Sequence, residues 1–141
     1  GDKRKSHMVK GLWNYAIKAT SIEKTTEFYV RNFDAEVRIR SEVLGSRYHL
    51  LRLGDSRLII FDKAPYEDLI GRTLPPGYLH DVYEVDDFDE HINRLRDSGV
   101  RFVMEPQELE ADFGRRRIAF FENPDGMRTE VMQVLEDSDK V

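Results

Sequence analysis

Glu130 is the residue of this sequence whose type and position most clearly point to chemistry. It follows a tight turn, since Asn123-Pro124-Asp125-Gly126 combines a proline that presets φ with a glycine that is free to take positive φ. Residues 127–133 alternate between two faces and are rich in strand formers, which predicts a β-strand. A carboxylate on such a strand lowers stability unless it is paired, bound to a metal or exposed to water. The rest of the sequence must therefore indicate what Glu130 faces.

The elements that would position Glu130 form two copies of one pattern, strand–helix–strand–strand–strand. In the first copy, strands are predicted over 12–19, 35–42, 47–53 and 57–62. Its helix is predicted to start at a capping box in Thr20-Ser21-Ile22-Glu23. In the second copy, strands are predicted over 78–85, 100–105, 115–121 and 127–133. Its helix is predicted to start at 87–90 and to end at Ser98-Gly99.

The two copies can be superimposed residue by residue. Asn14 falls on His80 and Lys18 on Glu84, at a constant shift of 66 residues (80 − 14). At the last strand Ile59 falls on Glu130, at a shift of 71 (130 − 59). The additional residues of the second copy fit in a loop around 106–114, and the stretch between the copies has the proline and glycine content of a linker. This internal duplication is the strongest structural signal in the sequence.

The order of motifs in the two copies resembles that of the vicinal oxygen chelate superfamily, the group of glyoxalases, bleomycin resistance proteins and extradiol dioxygenases. The motifs are Thr20-Ser21-Ile22-Glu23-Lys24 and Glu27-Phe28-Tyr29 in the first copy, and Gly77-Tyr78-Leu79-His80, Glu84-Val85-Asp86-Asp87, Gly114-Arg115-Arg116 and Asn123-Pro124-Asp125-Gly126 in the second. The resemblance covers residues 11–135. It implies an α+β fold in which two βαβββ modules form an eight-stranded open barrel, with the helices outside and a ligand cavity inside. The implied single domain spans 9–136, with module 1 at about 11–63, a linker at 64–76 and module 2 at about 77–135.

The same resemblance indicates where a site would lie. Metal-dependent members of the superfamily place histidine, glutamine or glutamate on the first and last strands of each module, as up to four ligands. The matching positions in this chain are Asn14, Ile59, His80 and Glu130. Isoleucine cannot bind a metal, and the neutral amide oxygen of asparagine is a poor ligand for Fe, Ni or Zn. The resemblance therefore implies a degenerate metal site in which His80 and Glu130 remain.

Three interpretations of His80 and Glu130 stay open. With Asn14 and water they would hold a weakly bound divalent ion (Fe, Mn, Ni or Zn), although no cofactor is expected. Without a metal they would form an acid/base pair if burial raises the pKa of the carboxyl group. In the third interpretation they only line a binding pocket.

In the first strand of each module one face is more apolar than the other, and this face is expected to lie under the helices. That face carries Tyr15, Ile17, Ala19, Tyr83 and Val85. The candidate ligand-binding residues are instead expected to face the cavity, and these are Asn14, Lys18, Ile59, Glu84, Arg128 and Met132. The symmetric pair Lys18 and Glu84 is either a clamp for a polar ligand or a salt bridge across the barrel.

Two further features are assigned to ordinary structure. The charge run Arg115-Arg116-Arg117 predicts a solvated strand start. His49 lies on a predicted strand, but the sequence leaves the direction of its side chain open.

The composition argues against several classes of function. The net charge is −5, and no basic stripe carries interleaved aromatic residues, which argues against nucleic acid or an anionic membrane as a partner. The chain has no cysteine, which excludes disulfides and thiolate nucleophiles and suits a cytoplasmic location. The first residues, 1–8, are typical of a cloning remnant. The charged tail at 137–141 is expected to be frayed.

The function expected from these observations is small-molecule binding in the barrel cavity. The leading interpretation is a protein that binds an antibiotic or an aromatic metabolite, similar to bleomycin resistance proteins. The alternative is a glyoxalase-like or dioxygenase-like enzyme, a lyase, isomerase or dioxygenase, that uses His80 and Glu130 with or without a divalent metal. A homodimer is expected from the resemblance.

Overall fold

The computed structural model describes residues 9–141, so the predicted cloning remnant lies outside the described residues. The strands are β1 (Val9–Lys18), β2 (Glu36–Val43), β3 (Ser46–Leu53), β4 (Ser56–Phe61), β5 (Gly77–Val85), β6 (Phe102–Ala111), β7 (Gly114–Glu122) and β8 (Arg128–Asp137). The helices are α1 (Ile22–Phe33), the short α2 (Glu67–Ile70) and α3 (Phe88–Asp97).

All eight strands belong to one mixed sheet, in the order β2-β3-β4-β1-β5-β8-β7-β6. Within each module the first and last strands pair in parallel, β1 with β4 and β5 with β8. The modules join through an antiparallel ladder between β1 and β5. The sheet curls into an open barrel, and the predicted α+β fold of two βαβββ modules is confirmed.

Side-chain caps start both long helices. Ser21 Oγ accepts from the backbone N–H of Lys24 at 3.2 Å, so the cap is Ser21, one residue after the threonine of the predicted capping box. Asp87 Oδ1 accepts from the N–H of Glu90 at 3.1 Å and starts α3. These bonds satisfy donors that the first turn of a helix leaves unpaired.

Each long helix buries one apolar stripe against the convex face of its own module. Under α1 the buried cluster consists of Ala19, Ile22, Ala35, Leu51 and Ile60. Under α3 it consists of Val85, Phe88, Ile92, Leu95, Ala119 and Val131. A third and larger cluster fills the concave side and includes Trp13, Tyr48, Phe61, Phe113, Ile118 and Phe120. Because residues of both modules contribute to this third cluster, the two modules share one core.

The segment predicted as a linker is packed into the protein. Tyr66 is fully buried at its start, and α2 follows. Lys18 Nζ donates to Glu67 Oε1 at 3.0 Å and to the carbonyl of Leu74 at 2.6 Å, which ties the segment to the end of β1. Burial opposes ionisation of Glu67, but hydrogen bonds from Ala64 N–H and Lys18 outweigh it and lower the pKa of the carboxyl group. The segment is therefore a fixed part of the site's surroundings.

Two stretches predicted to be irregular are ordered. The predicted loop around 106–114 is mostly strand, because β6 continues to Ala111 and pairs with β7 as far as Gly114. The tail predicted to fray begins inside β8, and the residues after it fold back onto the sheet. Arg57 Nε donates to the Val141 carbonyl at 3.1 Å, and Ser138 N–H donates to the Phe113 carbonyl at 2.9 Å.

The central strands β1 and β5 leave part of their convex face uncovered. Ala19 and Val85 lie under the helices as predicted, but Tyr15 is 49% exposed and Tyr83 is 37% exposed. That part of the prediction is wrong, because α1 and α3 pack on the flanking strands and do not reach the seam between the modules. In the described part of the chain, no helix has the length and apolar character needed to cross a membrane.

Candidate functional site

The four positions matched by the resemblance converge on one cavity. Asn14 on β1, Ile59 on β4, His80 on β5 and Glu130 on β8 all line it. These strands are consecutive in the sheet, β4-β1-β5-β8, and inward-pointing residues of consecutive strands lie side by side. The four positions that the resemblance indicated therefore lie together around one cavity.

His80 and Glu130 form a pair in the wall of this cavity. His80 is 1% exposed, and its Nε2 lies 3.5 Å from Glu130 Oε1. On its other side, His80 Nδ1 lies 2.9 Å from the hydroxyl of Tyr66. The ring of Phe120 meets the imidazole edge-on, with centroids 4.9 Å apart. The imidazole thus has a hydrogen-bond partner at Nδ1, a carboxyl oxygen near Nε2 and an aromatic ring beside it.

The tautomer of His80 depends on the hydroxyl proton of Tyr66. That hydroxyl also lies 3.2 Å from the carbonyl of Leu79, so its single proton can go either to this oxygen or to Nδ1. When it goes to Nδ1, Nε2 carries the ring proton and directs it at Glu130. In this tautomer the imidazole presents an N–H group to the neighbouring Glu130 carboxyl oxygen, 3.5 Å away. Burial raises the pKa of the Tyr66 hydroxyl, which keeps it protonated and available for this role.

The cavity is small and mostly apolar. Its volume is about 40 Å³, which is room for about three water-sized groups. Apolar lining comes from both modules, with Trp13, Val43, Ile59, Phe61, Val82, Leu109, Phe113, Ile118, Phe120 and Met132. The polar side chains among the lining residues are Asn14, His80, Arg116 and Glu130. A few polar groups in an apolar pocket orient a ligand and have strong mutual electrostatics, because little water screens them.

The donor set does not fit a tightly bound transition metal. Within residues 9–141 no group of three or more His, Cys, Asp or Glu side chains is arranged to hold an ion. Nδ1 of His80 is occupied by Tyr66, and the fourth position of the set is the hydrocarbon of Ile59. Catalytic metal sites usually have three strong protein ligands, and here only His80 Nε2 and Glu130 remain.

Arg116 is a cavity residue that the sequence analysis assigned to solvent. It is fully buried, because on β7 it shares the concave face with Ile118 and Phe120. The prediction of a solvated strand start is therefore wrong for this residue. Burial lowers the pKa of its guanidinium, and the facing carboxylate of Asp137 opposes that shift. The alternation of Arg116 with Ile118 and Phe120 is a sequence signal for its inward direction.

The cavity lining does not include every predicted ligand-binding residue. Lys18 bonds Glu67 and not Glu84, so the predicted salt bridge between Lys18 and Glu84 is wrong. Glu84 lies 3.6 Å from Lys10. Arg128 lies outside the lining, with its guanidinium 5.3 Å from the centre of the Tyr66 ring.

His49 points away from the cavity. Its Nδ1 lies 2.7 Å from the hydroxyl of Thr26 on α1, so it belongs to the contact between this helix and the sheet. Burial lowers the pKa of His49, and the charge of Arg40 lowers it further. His49 does not supply the ligand that Ile59 lacks.

A sequence model of the glyoxalase/bleomycin resistance protein/dioxygenase superfamily matches residues 12–131. The chain belongs to this superfamily. The match spans both modules and includes all four aligned cavity positions, Asn14, Ile59, His80 and Glu130. A comparison with curated protein sequences finds no match.

Solved structures of this superfamily share the fold. A variant of methylmalonyl-CoA epimerase from Streptomyces coelicolor, in complex with 2-nitronate-propionyl-CoA, superimposes with a TM-score of 0.73 at 24% identity, over 91% of this chain and 99% of its own. The same enzyme from Mycobacterium tuberculosis gives a TM-score of 0.70 at 23% identity, over 93% and 92% of the two chains. A variant of 4-hydroxymandelate synthase from Streptomyces coelicolor gives 0.64 at 18% identity, over 92% of this chain and 50% of its own.

Proposed function

We propose that this superfamily member is an enzyme that moves a proton at a carbon atom next to a carbonyl group, as an isomerase does, with Glu130 and His80 as its acid/base pair. The observation that carries the proposal is the 3.5 Å contact between His80 Nε2 and Glu130 Oε1 in the wall of an apolar cavity. In such surroundings little water competes for the carboxylate, so a C–H group of a bound substrate can approach it directly.

The proposed reaction needs only groups that this chain contains. The Glu130 carboxylate takes the proton, the C–H bond breaks, and its electron pair moves to the carbonyl oxygen to form an enolate. The Nε2–H group of His80 stabilises the Glu130 carboxylate before the transfer. This interaction becomes weaker as the carboxyl group becomes neutral. Return of the proton to carbon restores the carboxylate and completes the cycle. Tyr66 holds the imidazole in the orientation that both steps require.

Two kinds of observation support an enzyme over the binding protein that the sequence analysis placed first. The structural neighbours include proteins named as methylmalonyl-CoA epimerases and a 4-hydroxymandelate synthase, which are enzymes. In addition, a cavity of about 40 Å³ accommodates a small reacting group. An antibiotic-sized ligand would require repacking of the core. A dioxygenase would require a third strong metal ligand among the cavity residues. Ile59 occupies one of the matched positions, and its side chain cannot bind a metal.

The test is exchange of carbon-bound hydrogen in D₂O. The protein is incubated with a panel of carboxylic acids, ketones and thioesters that carry a hydrogen next to the carbonyl, and deuterium incorporation is followed by NMR. We expect exchange with a subset of the panel that is insensitive to a chelator and falls at least 100-fold in Glu130→Gln and in His80→Gln. Glu84→Gln is the matched control, because Glu84 also lies on the barrel strands but outside the cavity lining.

Failure of the wild-type protein to exchange any compound would return the binding interpretation to first place. Exchange that requires an added divalent ion would overturn the metal-free mechanism and leave the enzyme proposal standing.

The predicted homodimer and cytoplasmic location are also kept as proposals. The convex face of β1 and β5 supports the dimer, since Tyr15, Tyr78 and Tyr83 lie exposed there and uncovered by helices. A Tyr15→Glu variant should sediment as a monomer at concentrations where the wild type is dimeric. A wild-type chain that sediments as a monomer at all concentrations contradicts the proposal.

A further inference from the structure

We propose that Arg116 is an anion-binding residue of the cavity, so that the substrate of the proposed reaction carries a carboxylate or an equivalent anionic oxygen a few bonds from its reactive carbon. The inference rests on the proposed function for the identity of the reactive carbon. The binding of an anion at Arg116 is a separate claim and can be tested without any turnover.

Arg116 has one donor to spare. A guanidinium has five N–H groups, of which four belong to Nη1 and Nη2. Those four meet four acceptors: Nη1 donates to the carbonyls of Arg115 (3.1 Å) and Glu136 (2.7 Å), and Nη2 donates to the carbonyl of Phe113 (3.2 Å) and to Asp137 Oδ1 (2.5 Å). The fifth group, Nε–H, is buried and has no acceptor among residues 9–141.

The spare donor belongs to a side chain that faces the cavity. Arg116 is fully buried and lines the cavity together with Glu130, and its guanidinium carbon lies 5.3 Å from the ring centre of Trp13 and 5.1 Å from that of Phe113. A buried N–H on a charged group lowers stability when it has no acceptor. A ligand that supplies an acceptor recovers this energy, and an anionic acceptor gains more because the surrounding rings exclude water.

A purely structural role accounts for the other four donors but not for this one. The contacts of Nη1 and Nη2 hold the β6–β7 turn against the end of β8, and they would be complete without Nε. Asp137 balances part of the positive charge, but its side chain is 44% exposed, so water screens that balance. The cavity therefore has one positive polar group, Arg116, and one potential base, Glu130, which suits a short acid that spans the two.

The probe for the test is propionate, with the uncharged isostere propionamide as its partner. Binding is followed by the ¹H–¹⁵N signal of the Arg116 Nε–H group, assigned by its loss in Arg116→Lys. We expect propionate to shift this signal in a saturable way and propionamide to leave it unchanged. Equal shifts of the Arg116 signal with both compounds would overturn the proposal. So would a saturable effect of propionate that shifts only signals of other residues.

Two variants sharpen the test without removing Arg116. Asp137→Asn removes the carboxylate that offsets the guanidinium charge, so propionate should bind about threefold to fivefold more tightly. Arg115→Gln is the matched control, since Arg115 is the neighbouring, partly exposed arginine. The affinity of this variant for propionate should equal that of the wild type. Unchanged affinity in Asp137→Asn, or a loss in Arg115→Gln as large as the expected gain, contradicts the assignment.

The outcome separates this inference from the proposed function. Propionate binding that persists in Glu130→Gln supports the anion site even if no exchange is found. Exchange restricted to uncharged ketones and esters overturns the anion site and leaves the acid/base proposal in place.

Discussion

At the scale of single residues, the candidate site depends on a hydroxyl that comes from outside the barrel strands. Tyr66 lies in the segment between the modules, and its contact with His80 Nδ1 determines which imidazole nitrogen faces Glu130. Sequence patterns could not reveal this contact, because the proline-rich segment has no periodicity from which a direction can be inferred. The positions of His80 and Glu130, in contrast, were predictable from the duplication together with the family resemblance.

Replacement of Tyr66 by phenylalanine tests its role in positioning His80. The change leaves the buried Nδ1 atom without its partner, so we expect a loss of about 2 kcal/mol in the free energy of unfolding. We also expect a change in the ¹⁵N shifts of the His80 ring and a fall in exchange rate of about tenfold. Urea denaturation and imidazole NMR provide the measurements.

Tyr78→Phe is the control for Tyr66→Phe, because Tyr78 is a half-exposed tyrosine at the start of β5. Identical His80 ring shifts in the wild type and in Tyr66→Phe would show that Tyr66 does not set the tautomer.

At the scale of elements, the helices and the inter-module segment are attached to the sheet by buried polar contacts as well as by apolar stripes. The stripes were predictable, since the spacing of Phe88, Ile92 and Leu95 indicates one buried helix face, and α3 buries these residues. The polar contacts were not, because each joins residues far apart in sequence. His49 with Thr26 and Lys18 with Glu67 are the two clearest cases.

The contact of α1 with the sheet should weaken in acid. Burial lowers the pKa of His49 in the folded protein, so the unfolded chain binds a proton more readily. The free energy of unfolding should therefore fall as the pH drops below about 6.5, the usual value for histidine, until the folded-state pKa is passed. Unfolding experiments at several pH values measure this, with His49→Gln as the variant in which the slope should decrease. If the slope is unchanged in His49→Gln, the pH dependence of the free energy of unfolding comes from other groups.

The Lys18–Glu67 pair should stabilise the inter-module segment strongly. Glu67 is 5% exposed and Lys18 is 10% exposed, so Glu67→Gln leaves Lys18 with an uncompensated charge and should cost about 3 kcal/mol. Because the pKa of Glu67 is lowered by folding, its contribution is present above about pH 4.5 and is lost as the pH falls through the folded value. Asp68→Asn is the control, since Asp68 is exposed. Equal costs for the two variants, measured by urea denaturation, would contradict the importance of burial.

At the scale of the whole molecule, the two modules have the same fold but unequal chemistry. The superimposed positions carry Asn14 and Ile59 in module 1 and His80 and Glu130 in module 2, and all four line one cavity. The correspondence of these four positions followed from the duplication, and the cavity was implied by the resemblance, whereas neither indicated the small cavity volume. That volume depends on how Trp13, Phe113 and other large side chains interlock across the modules, which no local pattern encodes.

Restoring the symmetry should create a metal site. Asn14→His combined with Ile59→Glu would place two histidines and two glutamates around the cavity, a set that suits Zn²⁺ or Co²⁺. Without metal the double variant should be less stable than the wild type, because Ile59 is buried and a glutamate there has no partner. Added Zn²⁺ should restore stability in the variant and have no effect on the wild type, as measured by thermal unfolding. A variant that ignores Zn²⁺ would show that the four positions do not converge closely enough.

The ladder between β1 and β5 also determines how two copies of this chain can exchange modules in a domain-swapped dimer. The pairing of Tyr15 with Asp81 and of Asn14 with Val82 is the same whether the two strands come from one chain or from two. A swapped dimer would therefore keep the strand contacts of the cavity, whereas the path of residues 64–76, which include the His80 partner Tyr66, would change. The Lys18–Glu67 bond opposes that exchange, because it fastens the connecting segment to the end of its own β1. Domain swapping should consequently be rare in the intact chain and should increase with protein concentration once this bond is removed.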